Sequence, residues 1–340
     1  MKMIVDFRSD TFTKPTPAMM ESIVKASVGD DVFGEDPTVN ALEKKAAELF
    51  RMEAALYCPS GTMSNQIGIR AHTNPGDEVI CEKTSHVYLY EGGGIAVNAG
   101  CQVKLLEGVQ GKLKAHQIEE AINPDDIHRP ISRLVSLENS TNRGGGNYYD
   151  LNSLAEIKAV CEKHDLKLHL DGARLFNAMV AAGQLPHEIG EKFDSISICL
   201  NKGLGCPMGS ILMGSAAYIK KSRRIRKVMG GGLRQAGYMA AAGVYALDHH
   251  IDRLADDHAH AQLIADAISH KQYCKEVYPV KTNIIIFEVA APHSGASVVA
   301  SLKEKGILAI AMAPMQVRLV LHLDVTKEMV DYTLEQIKKS

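Results

Sequence analysis

The run Ser195-Ile-Ser-Ile-Cys-Leu-Asn-Lys202-Gly-Leu-Gly-Cys-Pro-Met-Gly-Ser210 is apolar and strand-like at its start and ends on a single lysine wrapped in glycines. A lysine ammonium is normally solvated and mobile. At the end of a strand, with flexible glycines beyond it, such a lysine is partly desolvated and loses its proton more readily; the free amine attacks an aldehyde and holds it as a Schiff base. A lysine in a glycine-rich surface turn has the same local pattern, so this segment does not decide the matter by itself.

Upstream, Leu166-Lys-Leu-His-Leu-Asp171-Gly-Ala-Arg174-Leu-Phe-Asn-Ala178 begins with strand-like alternation and finishes with helical spacing, and Asp171 sits at the joint. A carboxylate at the carboxyl end of a parallel strand lies where α/β folds place ligand chemistry. Pyridoxal phosphate requires such a group, because an ionised aspartate beside the pyridine nitrogen keeps it protonated and makes the ring an electron sink. The alternative is that Asp171 only caps the helix starting at Gly172; its pairing with Lys202 favours the first reading. In Tyr57-Cys-Pro-Ser-Gly61-Thr62-Met-Ser64 the small residues precede a helical segment, whose first N–H groups and positive dipole end suit a phosphate, although an ordinary N-cap looks alike. His86, in Ser85-His86-Val-Tyr88-Leu-Tyr90-Glu91, suits lying flat on a planar ring and exchanging protons, or is a hydrogen-bonded core histidine. Arg234 follows Gly230-Gly-Gly-Leu, and Arg318 stands at the mouth of Val317-Arg318-Leu-Val-Leu, where its planar fork suits a carboxylate.

The ordered set Arg8-Ser9-Asp10-Thr11, Asp30-Asp-Val-Phe33-Gly-Glu-Asp-Pro37, His86 with Glu91, Glu138-Asn139, His169-Leu-Asp-Gly-Ala-Arg174, the Lys202 segment, Gly230-Gly-Gly-Leu-Arg-Gln and Arg318 resembles the low-specificity L-threonine aldolases, relatives of the β-eliminating lyases, from Asp6 to about Thr326. The resemblance implies an α/β fold of the pyridoxal-phosphate-dependent transferase kind (fold type I): a mostly parallel central sheet covered on both faces, plus a smaller α+β C-terminal domain. The expected division is 1–245 and 246–340. It also implies pyridoxal 5'-phosphate held as a Schiff base on Lys202, and retro-aldol cleavage of 3-hydroxy L-amino acids, L-threonine and L-allo-threonine, to glycine and an aldehyde. Lys202 and His86 are the catalytic residues it implies. Gly61, Thr62, His86, Asp171, Arg174, Lys202 and Arg234 would bind the cofactor, with Lys227 a weaker candidate, and Ser9, Arg174 and Arg318 would clamp the substrate carboxylate. No metal is expected. A homotetramer with sites at subunit boundaries is implied as well. The competing activity on this scaffold is another pyridoxal-phosphate lyase or an aminotransferase, since the clamp decides which bond at Cα aligns with the ring.

Two positions depart from the family pattern. The family often has histidine where this chain has Thr141, and tyrosine where it has Phe33. Thr141 cannot act as a base near neutral pH, which leaves His86, a water or the cofactor phosphate for the β-hydroxyl proton.

Composition fits an enzyme of small molecules. Thirty-eight basic against 40 acidic side chains in 340 residues give no long-range field for nucleic acid or an anionic membrane. Seven cysteines without paired metal spacing point to a reducing cytoplasm. The N-terminus lacks a leader pattern, and no apolar run approaches the ~20 residues needed to cross a bilayer. Strand-like runs at 54–58, 78–81, 102–106, 133–137, 167–170, 195–199 and 210–213 alternate with helical ones. After Gly243 the pattern predicts one long helix to about Ser269, strands at 281–289, 307–312 and 317–323, and helices near 296–305 and at the end. The basic run 220–227 reads as a solvated or subunit-facing surface, and although the histidines at 249, 250, 258 and 260 suggest a metal, His258 and His260 point to different faces at helical spacing, so no preformed site is expected.

Overall fold

The computed structural model describes residues 3–339. Its central sheet has seven strands in the spatial order Ala54–Cys58, Ser210–Gly214, Ser195–Cys199, Lys167–Gly172, Ser132–Glu138, Glu78–Glu82 and Gln102–Leu106. These are the seven runs expected from the sequence. Every pairing is parallel except those of Ser210–Gly214, which lies antiparallel to both neighbours. Residues 78–82, 195–199 and 210–214 are buried throughout, as in a sheet with both faces covered.

The helices between parallel strands are fixed by local chemistry. Ser60 Oγ accepts from the Met63 N–H at 3.2 Å and starts Gly61–His72, and Asp150 Oδ1 accepts from the Ser153 N–H at 2.8 Å and starts Leu151–Lys163. The parallel strands therefore all end on one edge. There the register sets Glu138 beside Asp171 and Asp171 beside Ser197.

The C-terminal part is an antiparallel sheet in the order Ile310–Ala313, Gln316–Val320, Ile284–Val289, Cys274–Val277, backed by Leu254–Ser269 and Lys327–Lys338. Its core, with Ile264, Phe287, Leu319 and Ile337, also takes in Val5 and Phe7 from the start of the chain. The strand Val5–Asp6 pairs parallel with Ile307–Leu308.

Four details correct the sequence reading. The helix expected to run on to Ser269 is two helices, Gly237–His249 and Leu254–Ser269, because the chain turns where His250 is buried with Nδ1 2.7 Å from the Leu204 carbonyl. The strand expected at 307–312 is split, one half serving the N-terminal strand and the other the antiparallel sheet. Cys274–Val277 escapes notice because an edge strand with exposed Lys275 and Glu276 lacks an apolar run. The basic helix Ala216–Val228 is not simply solvated: Arg226 is buried, with Nη2 2.7 Å from Asp31 and Nη1 2.6 Å from the Tyr57 carbonyl, and Arg223 pairs with Glu43. Buried carboxylates offset the desolvation of those guanidiniums. No helix among the described residues is long and apolar enough to cross a membrane.

Candidate active site

Lys202 follows the strand Ser195–Cys199 at the carboxyl edge. Its own carbonyl accepts from Thr13 Oγ1 at 3.2 Å and from the Gly205 N–H at 2.9 Å, which fixes the turn. Nζ lies 3.4 Å from Cys199 Sγ. Cys199 is thus a direct neighbour of the amine. The same thiol explains Gly61, since a Cβ there would stand 2.5 Å from Cys199 Sγ. Only glycine lets the Gly61–His72 helix come this close to the lysine.

Asp171 ends the central strand Lys167–Gly172. Its Oδ1 accepts from the Ala173 N–H at 3.1 Å, while the buried Oδ2 has no hydrogen-bond partner among the described residues. Polar atoms in that state are uncommon in folded proteins and ask for a missing donor. Ligating atoms of His86, Glu91 and Asp171 lie within 4.8 Å of one another, so the strand end and the histidine loop converge. His86 Nδ1 is 2.9 Å from Glu91 Oε1, and the fully enclosed Glu91 side chain also accepts from Asn65 Nδ2 at 2.9 Å and Gln66 Nε2 at 2.6 Å. Burial pulls the His86 pKa down, but the Glu91 hydrogen bond with the charges of Asp171 and Glu91 raises it overall. The buried Glu138 accepts from the N–H groups of His86 at 2.8 Å and Asn142 at 2.6 Å; burial and the nearby Asp171 charge raise its pKa.

Two arginines approach this edge. Nε and Nη2 of Arg174 each lie 2.7 Å from an oxygen of the fully buried Asp10. Burial alone raises the Asp10 pKa, but the charge and hydrogen bonds of Arg174 outweigh it and hold the carboxyl at about 2. Arg318 donates from Nη1 to Asn142 Oδ1 at 2.7 Å and from Nη2 to the Arg8 carbonyl at 3.1 Å, with its buried Nε unpartnered. No carboxylate pairs with it among the described residues. Burial, reinforced by Arg174, lowers its pKa to about 10, which leaves it a cation at neutral pH. His86, Asn142 and Arg318 line one cavity of about 390 Å³.

The remaining expected residues lie around these. Gly61 and Thr62 open the Gly61–His72 helix, where the first N–H groups have no carbonyl in their own helix to bond. Ser9 Oγ accepts from the Thr11 N–H at 3.2 Å and caps a short turn. Arg234 is not brought to the Gly61 turn by a contact within the chain; it is 60% exposed, pairs with Asp30 at 2.8 Å and leans on the Phe33 ring. Thr141 turns away, its Oγ1 donating toward the carbonyls of Gln110 and Asn147. Asp10 and Asn65 were given no role from the sequence, since their partners are 164 and 26 residues away.

An amine, a buried unpartnered carboxylate oxygen, an imidazole and an uncompensated arginine at one sheet edge can hold an aldehyde, a ring N–H and a carboxylate. A family model described as beta-eliminating lyase matches residues 6–292. The low specificity L-threonine aldolase of Escherichia coli strain K12 is 42% identical over 326 residues, covering 96% of each chain. A probable low-specificity L-threonine aldolase of Arabidopsis thaliana is 40% identical, covering 98% of this chain and 96% of its own. Among solved structures, the threonine aldolase of Leishmania major superposes with a TM-score of 0.85 at 20% identity over 98% of both chains, a likeness of fold. The chain therefore belongs to the β-eliminating lyase family and, within it, to the low-specificity L-threonine aldolases, built on fold type I.

Proposed function

We propose that this protein cleaves 3-hydroxy L-amino acids, L-threonine and L-allo-threonine among them, to glycine and an aldehyde with pyridoxal phosphate. The family and its fold imply that cofactor, and the residues present fit it: the observation that carries the reading is Asp171 Oδ2, buried without a donor at the edge where Lys202 and His86 meet. When bound, the cofactor supplies an aldehyde that captures amines and a protonated ring that withdraws the electrons of a breaking bond at Cα. Lys202 is the amine that would hold it, and Asp171 Oδ2 would accept its ring N–H. His86, fixed at Nδ1 by Glu91, would lie against the cofactor. The N–H groups of Gly61 and Thr62 take the phosphate, with Arg234 and Lys227 supplied across a subunit boundary of a homotetramer.

Arg318 would bind the substrate carboxylate, assisted by Arg174 and Ser9, and this clamp would select the Cα–Cβ bond for cleavage. Since Thr141 is committed to backbone carbonyls, His86 Nε2 is the protein group that takes the β-hydroxyl proton, and Lys202 returns a proton to Cα. The division at 245/246 falls inside the helix Gly237–His249; what supports a division in this region is that the mostly parallel sheet ends at Gly214 and the antiparallel sheet begins at Cys274. A cytoplasmic location is supported by seven unpaired thiols.

The test is release of acetaldehyde and glycine from L-threonine and L-allo-threonine with added cofactor. Equimolar products are expected. A keto acid with ammonia, or a persistent pyridoxamine spectrum, would instead assign an elimination or transamination enzyme.

A further inference from the structure

The cavity beside His86 holds more positive charge than a single substrate carboxylate needs. Besides Arg318 it is lined by Arg143 and Tyr90, with Ile310 and Met312 as apolar surface, and no carboxylate lines it. The Arg143 guanidinium lies 5.6 Å from the Tyr90 ring centroid and has no acidic partner among the described residues. A guanidinium resting on an aromatic face is held in position without being neutralised. The charge on Arg143 also disfavours that on Arg318, so an anion arriving at either relieves both.

We propose that the site favours 3-hydroxy amino acids whose β-carbon carries a second anionic group, Arg318 taking the α-carboxylate and Arg143 the β-anion. The inference rests on the aldolase reading above and names its substrate class. For 3-hydroxyaspartate the Cα–Cβ bond breaks and its electron pair stays with Cα, which gains a proton to give glycine. The β-hydroxyl loses its proton and becomes the aldehyde carbonyl of glyoxylate. Atoms balance and no oxidant is needed.

The experiment compares kcat/KM for L-3-hydroxyaspartate and L-threonine on the holoenzyme and on Arg143→Gln and Arg143→Lys. The acidic substrate is expected to lead by about ten-fold or more, the gain of one charge-assisted hydrogen bond. That ratio should collapse in Arg143→Gln and return in part in Arg143→Lys. Independently of turnover, calorimetric binding should prefer L-aspartate to L-2-aminobutyrate, neither of which has the hydroxyl, and Arg143→Gln should erase the preference. Threonine cleavage with no advantage for the acidic substrate, and a ratio unmoved by Arg143→Gln, overturns the inference and spares the aldolase. Cleavage of neither substrate overturns the aldolase, and the binding preference then decides the anion site alone.

Discussion

Arg174, buried beside the central sheet, and Arg318, half-buried on the strand Gln316–Val320 of the antiparallel sheet, both reach the same site, and the chain treats them oppositely. Arg174 meets a full carboxylate in Asp10 with two bonds of 2.7 Å, whereas Arg318 is given an amide oxygen and a backbone carbonyl, with Nε unpartnered. A buried ion pair is roughly neutral for stability, but a buried charge without its partner is costly. On the proposed function, the anion that would remove the part of that cost borne by the half-buried Arg318 is the substrate carboxylate, which is not part of the protein. The first cation is neutralised within the chain and could only assist at the substrate; the second is the one the proposed function assigns to the carboxylate.

Breaking each pair separates the two roles. Asp10→Ala, which strands Arg174, should destabilise the fold by about 3–5 kcal/mol in urea unfolding. Arg318→Leu should instead leave the unfolding midpoint unchanged or raised, while KM rises about 30-fold or more, since a charge-assisted bond to the substrate is lost. A midpoint that drops for Arg318→Leu as much as for Asp10→Ala would erase the distinction.

Acid sharpens it further. Asp10 has a folded pKa of about 2 against an ordinary 3.8, so its contribution is fully present above about pH 4 and is lost as pH falls through about 2. That amounts to about 2 kcal/mol, read as the slope of stability against pH in this window. The slope should persist in Arg318→Leu and shrink in Asp10→Asn. His86 has the opposite sign: its raised folded pKa gives stability that is present below the ordinary value of 6.5 and lost as pH rises through the higher folded value. Smallest is Thr141→Val, which removes one hydroxyl donor shared between two carbonyls and should cost about 1 kcal/mol of stability without altering the pH profile of turnover. A changed profile would return Thr141 to the proton path.

The sheet was legible because its strands announce themselves as short apolar runs between helical ones; that Lys202, Asp171 and His86 come together was expected because each sits at a strand end or loop with a chemical reason to be there, while their roles rest on the proposed function. The partnership of Asp10 with Arg174 was not legible. Nothing local links residues 164 positions apart, and an aspartate beside a serine reads as a cap. Arg234 shows the complementary limit, for within one chain it faces Asp30, and the phosphate role proposed for it would require a second subunit. The break at His250 was hidden because a helical pattern continues across it, and only the Leu204 carbonyl reveals why the chain turns.

The central claim is that Lys202 carries the cofactor at this edge, and borohydride reduction of the holoenzyme followed by peptide mapping tests it most directly. The pyridoxyl group should be found on the peptide containing Lys202, with Lys202→Ala folded, unlabelled and reduced in turnover by about a thousand-fold or more. A label on another lysine, or Lys202→Ala with undiminished aldolase activity, would contradict the account.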